Sequence, residues 1–408
     1  MTDSTFAARL DRVGLPHQIA WGFAGLFFFI LGTSIEQSWF STYLIHQGFG
    51  AGFASTVFTC YGLVVTIAAC MSGVGTRLLG VRGMMWLGTG VSVAATVPLL
   101  LWALPTHSAW GLLVLYALRG AAYPLFAYSF LVWVNYRAQK ATLGQAVSWF
   151  WIFFALGFVI VGPLLANALM PLIGEVNVIW AGLLGVGLGA VLALVVNRDR
   201  LPVNGPATNL FAVLWHQLRT IATSWRVAVG VLVKGTNDIG KFGFVIVVPV
   251  YLAQFGFSLS EWLIAWSVAN AVNIPLDYLF GWIGDRIGWR KTVVAFAGTF
   301  CSLGAFGLLL LPPLLGHNAL ALYLPLLAYA VGMAGFCPLS AIIPSLLPAD
   351  LETGVTALNL GSGLSNLLGP AIVSLFIGIS SQAVLVVIGI VFAAASLMAT
   401  VLKLPGEA

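Results

Sequence analysis

Twelve apolar runs, each long enough to cross a bilayer, leave this chain of 408 residues little choice of fold. A helix needs about 20 apolar residues to span the hydrocarbon core, where only helices and closed barrels satisfy their own backbone hydrogen bonds. The runs lie near 18–44, 53–75, 83–104, 110–134, 143–169, 177–196, 227–252, 260–282, 292–312, 319–346, 353–378 and 382–402. Charged residues make up only 7% of the chain, where a soluble domain carries about 25%. The reading is an all-α membrane protein of twelve transmembrane helices. The first run is long enough to be kept as an anchor and is not read as a cleaved leader.

The net charge of +5 would suggest an anionic partner if it were gathered on one soluble face. The basic residues are instead scattered over short loops, so nucleic acid is not an expected partner. Fourteen of the seventeen, from Arg9 and Arg12 through Arg77, Arg137 and Lys140 to Lys403, fall in the termini or the even-numbered connections. The other three, Arg119, Lys234 and Lys241, are inside helices, so both termini are expected in the cytoplasm. Cys60, Cys70, Cys301 and Cys337 lie in apolar runs without the spacing of a metal site or a redox pair. They read as packing residues, and neither metal nor cofactor is expected.

One connection is long. It divides the chain into a six-helix bundle over 1–196, a cytoplasmic connector over 197–226 and a second six-helix bundle over 227–408. Within the connector Leu210, Phe211, Leu214, Trp215, Leu218 and Ile221 recur at helical spacing, the pattern of an amphipathic helix lying on a membrane surface. The two bundles repeat each other. Tyr43-Leu44 and Gly48-Phe49 match Tyr251-Leu252 and Gly256-Phe257 at an offset of 208, and Gly73, Gly80 and Arg82 match Gly281, Gly288 and Arg290 at the same offset. Gly162-Pro163 matches Gly369-Pro370 at 207. A register held across helices 1, 2 and 5 is hard to reach by chance.

Two parallel six-helix halves joined by a cytoplasmic connector resemble the major facilitator superfamily. Gly281-Trp282-Ile283-Gly284-Asp285-Arg286-Ile287-Gly288-Trp289-Arg290-Lys291 is similar to that superfamily's signature between helices 8 and 9. The resemblance implies a conformational latch of Gly281, Asp285, Arg286, Gly288 and Arg290. Its carboxylate would be aimed at a neighbouring helix end and its arginines at lipid headgroups. In the copy between helices 2 and 3, Arg77 stands where the acid would be. Arg119-Gly120 resembles the helix 4 arginine motif. Gly157 with Gly162-Pro163, and Gly361 with Gly369-Pro370, resemble the glycine–proline motif of close-packed helices. Within the superfamily, the helix 1 stretch Leu26 to Trp39 and the segments Gly240 to Phe244 and Gly256 to Leu263 resemble the polyol permeases. That resemblance implies a monomeric, proton-linked importer of ribitol or D-arabinitol in a bacterial cytoplasmic membrane.

A charge near the middle of a bilayer costs roughly 3 kcal/mol or more, so intramembrane charges read as paired and functional. Six ionisable residues lie within the runs: Glu36, Arg119, Lys234, Asp238, Lys241 and Asp277. By depth Glu36 should meet Arg119, and Lys234 could neutralise Asp277. Glu36 and Arg119, with Asp238 as a rival, are the expected proton-coupling residues; a permanent structural salt bridge is the alternative. A polyol needs amides, hydroxyls and aromatic walls. The candidates by depth are Gln37, Trp39, Tyr123, Gln145, Trp149, Asn237, Lys241, Asn270, Asn273, Tyr329, Asn359 and Asn366, some of them expected to be only helix–helix glue.

The expected function is proton-driven uptake of a sugar alcohol by rocking of two halves. A carrier of a sugar acid or dicarboxylate, with Arg119 and Lys241 as carboxylate clamps, is the second reading. An exporter of apolar compounds fits the buried charges less well. A membrane sensor that binds ligand without flux is a different class, and no catalytic motif points to an enzyme.

Overall fold

The computed structural model describes residues 10, 14–139, 142–200, 210–348 and 350–403; Arg9, Arg12, Lys140 and residues 201–209 of the connector lie outside them. The side chains of Arg77, Phe211 and Leu214 are likewise outside what is described. Among the described residues every regular element is helical, and nine helices are long and apolar enough to cross a membrane. Numbered by the twelve runs, these nine are helices 2 to 6, 8 to 10 and 12. The other three runs are helical too. Helix 11, Leu351–Phe376, is continuous, but Thr353, Thr356, Asn359, Ser362, Ser365 and Asn366 dilute its hydropathy. Helices 1 and 7 are each split in two. In the connector, Leu210–Thr223 is a helix that leaves Trp215 and Leu218 exposed and buries Ile221.

The splits have a local cause. Helix 1 runs Ala20–Ser34, breaks over Ile35 to Trp39, and resumes as Phe40–His46. Just before the break, Thr33 Oγ1 donates to Phe29 O and Ile30 O at 3.1 Å, and Ser34 Oγ donates to Ile30 O at 2.6 Å. Hydroxyls that bond back to the preceding turn compete with the backbone ladder and bend a helix. Helix 7 repeats the device: Thr236 Oγ1 donates to Val233 O at 2.7 Å, and Trp225–Asn237 gives way to Ile239–Ala253 at Asp238, φ −99° and ψ 12°. Helix 4 is interrupted too, between Ala109–Arg119 and Ala122–Arg137. In helix 10 the interruption lies between Ala319–Gly335 and Leu339–Ser345, at Phe336, Cys337 and Pro338.

Packing groups the described residues of Met1–Glu36 with Ile67–Thr208, and those of Gln37–Thr66 with Asn209–Ala408. The sequence repeat divides the chain at 196 and 227, whereas this grouping divides it inside the helix 1 break. In the first unit helices 1 and 6 meet backbone to backbone through glycine. A Cβ on Gly25 or on Gly182 would come within 2.7 Å of Gly189 O or Gly32 O respectively. In the second unit the second piece of helix 1 is tied to helix 7 by Ser41 Oγ donating to Val245 O at 3.1 Å. Helices 9, 10 and 12 close up through Gly332, Gly335 and Gly298.

Candidate functional site

In the first unit Glu36 sits in the helix 1 break and Arg119 ends the first piece of helix 4. Arg119 Nη2 lies 2.9 Å from Glu36 Oε1, with side-chain exposures of 4% and 0%. The break takes Glu36 off the regular helix, and the interruption after Arg119 leaves its guanidinium at a helix end. The ring of Tyr116 lies 5.4 Å from that guanidinium, a cation–π contact that sequence reasoning missed. The Glu36 carboxylate is buried, and its compensation comes chiefly from the Arg119 charge, with a hydrogen bond from its own backbone N–H as a smaller contribution. Helix 5 presses on this point, with Gly162 facing Leu31 and Ile35. Tyr123 is buried among Tyr128, Phe154 and Phe158, and Trp149 is half-buried beside Phe153. Gln145 differs from its expected depth: it lies in the first turn of helix 5, which begins at Leu143, and is exposed.

The second unit carries its own ion pair at its own break. Lys241 Nζ lies 2.7 Å from Asp238 Oδ1, with exposures of 23% and 17%. Lys234, half-buried, is within electrostatic reach of Asp238, Lys241, Cys337 and Asp277, with Asp238 felt most strongly of the four. The expected Lys234–Asp277 partnership is therefore secondary. Asp277 instead accepts a hydrogen bond from Asn273 Nδ2 at 3.3 Å. Helix 11 seats this cluster: Gly361 lies against the Lys234 stem, and Gly369 against Ile239 O and Gly243 N. Each glycine–proline motif thus packs beside the residue next to a buried acid, Ile35 in one unit and Ile239 in the other.

The remaining candidates divide by what they touch. Gln37 Nε2 donates to Tyr61 OH at 2.5 Å, linking helix 1 to helix 2. Asn270 donates to Trp266 O at 2.8 Å and Asn366 to Ser362 O at 3.2 Å, bonds within their own helices. Asn273 also donates to Ala330 O at 3.2 Å, which joins helices 8 and 10. Trp39 is fully buried and packs edge-on against Phe40 and Tyr43. Asn237 and Tyr329 are buried, and Asn359 is exposed. The Tyr329 ring stacks on Trp266 and packs against Phe244, while its hydroxyl donates to no acceptor among the described residues.

The helix 8–9 turn closes at Gly288, φ 102°, a conformation that glycine adopts without strain. Asp285 Oδ1 accepts from Trp289 Nε1 at 2.8 Å, Arg286 lies 3.8 Å from the Trp282 ring, and Arg290 Nη1 donates to Thr400 O at 3.0 Å. Arg290 therefore caps the end of helix 12 and is not directed to headgroups. Arg82, its repeat partner, does the same for helix 6, donating to Leu194 O, to Asn197 O at 3.0 Å and to Asp199 O at 3.2 Å. Cations at a helix C-terminus satisfy orphan carbonyls and suit the dipole. Beside it Asp199 takes a two-pronged bond from Arg137 at 2.6 and 2.8 Å and one from Trp133 Nε1 at 2.8 Å. Burial pushes the Asp199 carboxyl up, but these bonds and the Arg137 charge outweigh it and hold the pKa below its usual value. Sequence reasoning missed this cluster; the lone acid between Arg198 and Arg200 was the available signal.

Among the described residues the protein is all-helical and multi-pass, with paired charges at helix breaks, an arrangement suited to a membrane transporter. The chain belongs to the major facilitator superfamily, whose family model, described as "Major Facilitator Superfamily", matches residues 19–359. It is 40% identical over 373 residues to the "Alpha-ketoglutarate permease" of Bacillus subtilis (strain 168), covering 90% of this chain and 85% of that protein. It is 30% identical over 366 residues to the "D-arabinitol transporter" of Klebsiella pneumoniae, covering 88% and 86%, which supports the resemblance to polyol permeases. A crystal structure of nucleoside transporter NupG shares the fold, with a TM-score of 0.75 at 13% identity over 94% of this chain and 99% of that one.

Proposed function

We propose that the protein is a proton-coupled importer of a small dicarboxylate of the 2-oxoglutarate class, working by alternating access as a monomer. It would sit in a bacterial cytoplasmic membrane with both termini in the cytoplasm. The observation that carries this reading is the buried Glu36–Arg119 pair. When Glu36 is ionised the pair is neutral; when Glu36 takes a proton, Arg119 is left uncompensated and attracts an anion. Proton and anion then favour each other's binding, which is the thermodynamic content of symport. Arg119, Lys234 and Lys241 give the spans three cations, as a carboxylate cargo requires. The relative named for alpha-ketoglutarate, at 40% identity, supports the same choice.

A second reading, a polyol cargo, is favoured by the D-arabinitol relative and by the uncharged hydrogen-bonding groups Gln37, Asn237 and Tyr329. Uptake into proteoliposomes under an imposed pH gradient separates the two. Radiolabelled 2-oxoglutarate should accumulate, and excess D-arabinitol should not compete with it. Accumulation of D-arabinitol alone would establish the second reading, and ligand binding without flux would indicate a sensor.

A further inference from the structure

We propose that Asp238 is a resident substitute for a substrate carboxylate. It holds Lys241 while the site is empty and is displaced from it when an anionic cargo arrives. This deepens the dicarboxylate reading and rests on it.

The two buried ion pairs differ in access. Glu36 and Arg119 are sealed at 0% and 4% exposure, whereas Asp238 and Lys241 remain 17% and 23% exposed. The second pair is thus the less tightly enclosed of the two. Asp238 stands at the break of helix 7, where its backbone is freed from the regular ladder. Lys241 pairs with Asp238 directly, and Lys234, on the other side of the break, is within electrostatic reach of both. Two ammonium groups face two acids here, Asp238 and Asp277, so releasing Lys241 from Asp238 frees one ammonium for a carboxylate of the cargo.

A further donor waits at the same place. Tyr329 is 2% exposed, its hydroxyl donates to no acceptor among the described residues, and it lies 2.8 Å from where a Cβ on Gly240, the neighbour of Lys241, would sit. A buried donor without an acceptor is costly unless something arrives to accept from it. The groups facing Asp238 are Asp277 from helix 8, Cys301 from helix 9 and Tyr329 from helix 10, besides the two lysines of its own helix. Cys337 of helix 10 faces Lys234. In the exchange the cargo's carboxylate takes over the Lys241 contact, and the displaced Asp238 stays ionised beside Lys234. No covalent bond changes.

Calorimetric titration of 2-oxoglutarate into the full-length protein in nanodiscs tests this. Asp238→Asn removes the internal competitor and should tighten binding about tenfold, a gain that a merely structural role would not give. Lys241→Gln should weaken binding at least about tenfold. The double variant Asp238→Asn/Lys241→Gln removes one charge of each sign, so it should unfold closer to the wild-type temperature than Lys241→Gln does and still bind weakly. Lys234→Gln should weaken 2-oxoglutarate and leave the monocarboxylate pyruvate unchanged. Wild-type binding that is indifferent to Asp238→Asn or Lys241→Gln overturns the displacement and leaves the transport reading standing. Absence of dicarboxylate binding in both wild type and Asp238→Asn overturns both.

Discussion

Arg119 Nη2 stands 2.9 Å from Glu36 Oε1 in a spot so closed that the acid has no exposure at all. Breaking such a pair from one side leaves a buried charge uncompensated, which costs about 3–5 kcal/mol in soluble proteins. Arg119→Gln should therefore lower the unfolding temperature markedly, measured by thermal denaturation in detergent. The double variant Glu36→Gln/Arg119→Gln should recover most of that loss, because two neutral groups of similar shape replace two charges. A double variant as unstable as the single one would mean that the damage is steric.

The Asp199 clamp gives a pH dependence of defined sign. Its folded pKa is held below the ordinary 3.8, so its stabilisation is fully present above that value and is lost as pH falls through the folded pKa. Asp199→Asn should destabilise the protein at neutral pH, with the gap from wild type closing as pH drops below about 3.8. Unfolding temperatures of both proteins across that range check it. A gap that stays constant would mean that the Asp199 charge contributes nothing.

Helices 1 and 6 depend on hydrogen in place of side chains at their contact. A Cβ on Gly25 would approach both Ala193 N and Gly189 O to 2.7 Å, and the listening surface is backbone that cannot rotate away. Gly25→Val should cost about 1–3 kcal/mol by overpacking and reduce the folded yield on size-exclusion chromatography. Gly90→Ala, where a Cβ would meet nothing within 4 Å, should leave that yield unchanged.

Gln37 and Tyr61 form a 2.5 Å hydrogen bond between two buried side chains, and neither polar group has easy access to water. Tyr61→Phe should destabilise by about 1–3 kcal/mol through the amide left behind. The unfolding temperature reports it. A change within experimental scatter would mean that Gln37 finds another partner.

Apolar length made the helical plan legible, because a bilayer accepts so few alternatives to a helix of about 20 residues. Charge spacing and depth were enough to suggest that Glu36 and Arg119 would meet. Helix breaks were not legible from hydropathy, since the short polar stretch Glu36-Gln37-Ser38 lies inside one long apolar run and reads as buried polar residues on a continuous helix. Their signal lay in hydroxyls: Ser34-Ile35-Glu36 and Thr236-Asn237-Asp238 each place a back-bonding side chain two residues before a buried acid. Depth alone also could not tell Asn270, which serves its own helix, from Gln37, which reaches another. Side-chain direction decides that, and a one-dimensional count of depth does not carry it.

The central claim is that Glu36 carries the coupling proton, and uphill uptake tests it most directly. In proteoliposomes with an inward proton gradient, wild-type protein should concentrate 2-oxoglutarate above its outside level. Glu36→Gln/Arg119→Gln and Glu36→Gln, checked for folding, should lose that accumulation, with Glu36→Gln retaining exchange of substrate at equal concentrations. Gradient-driven accumulation by Glu36→Gln equal to that of wild type would contradict the account.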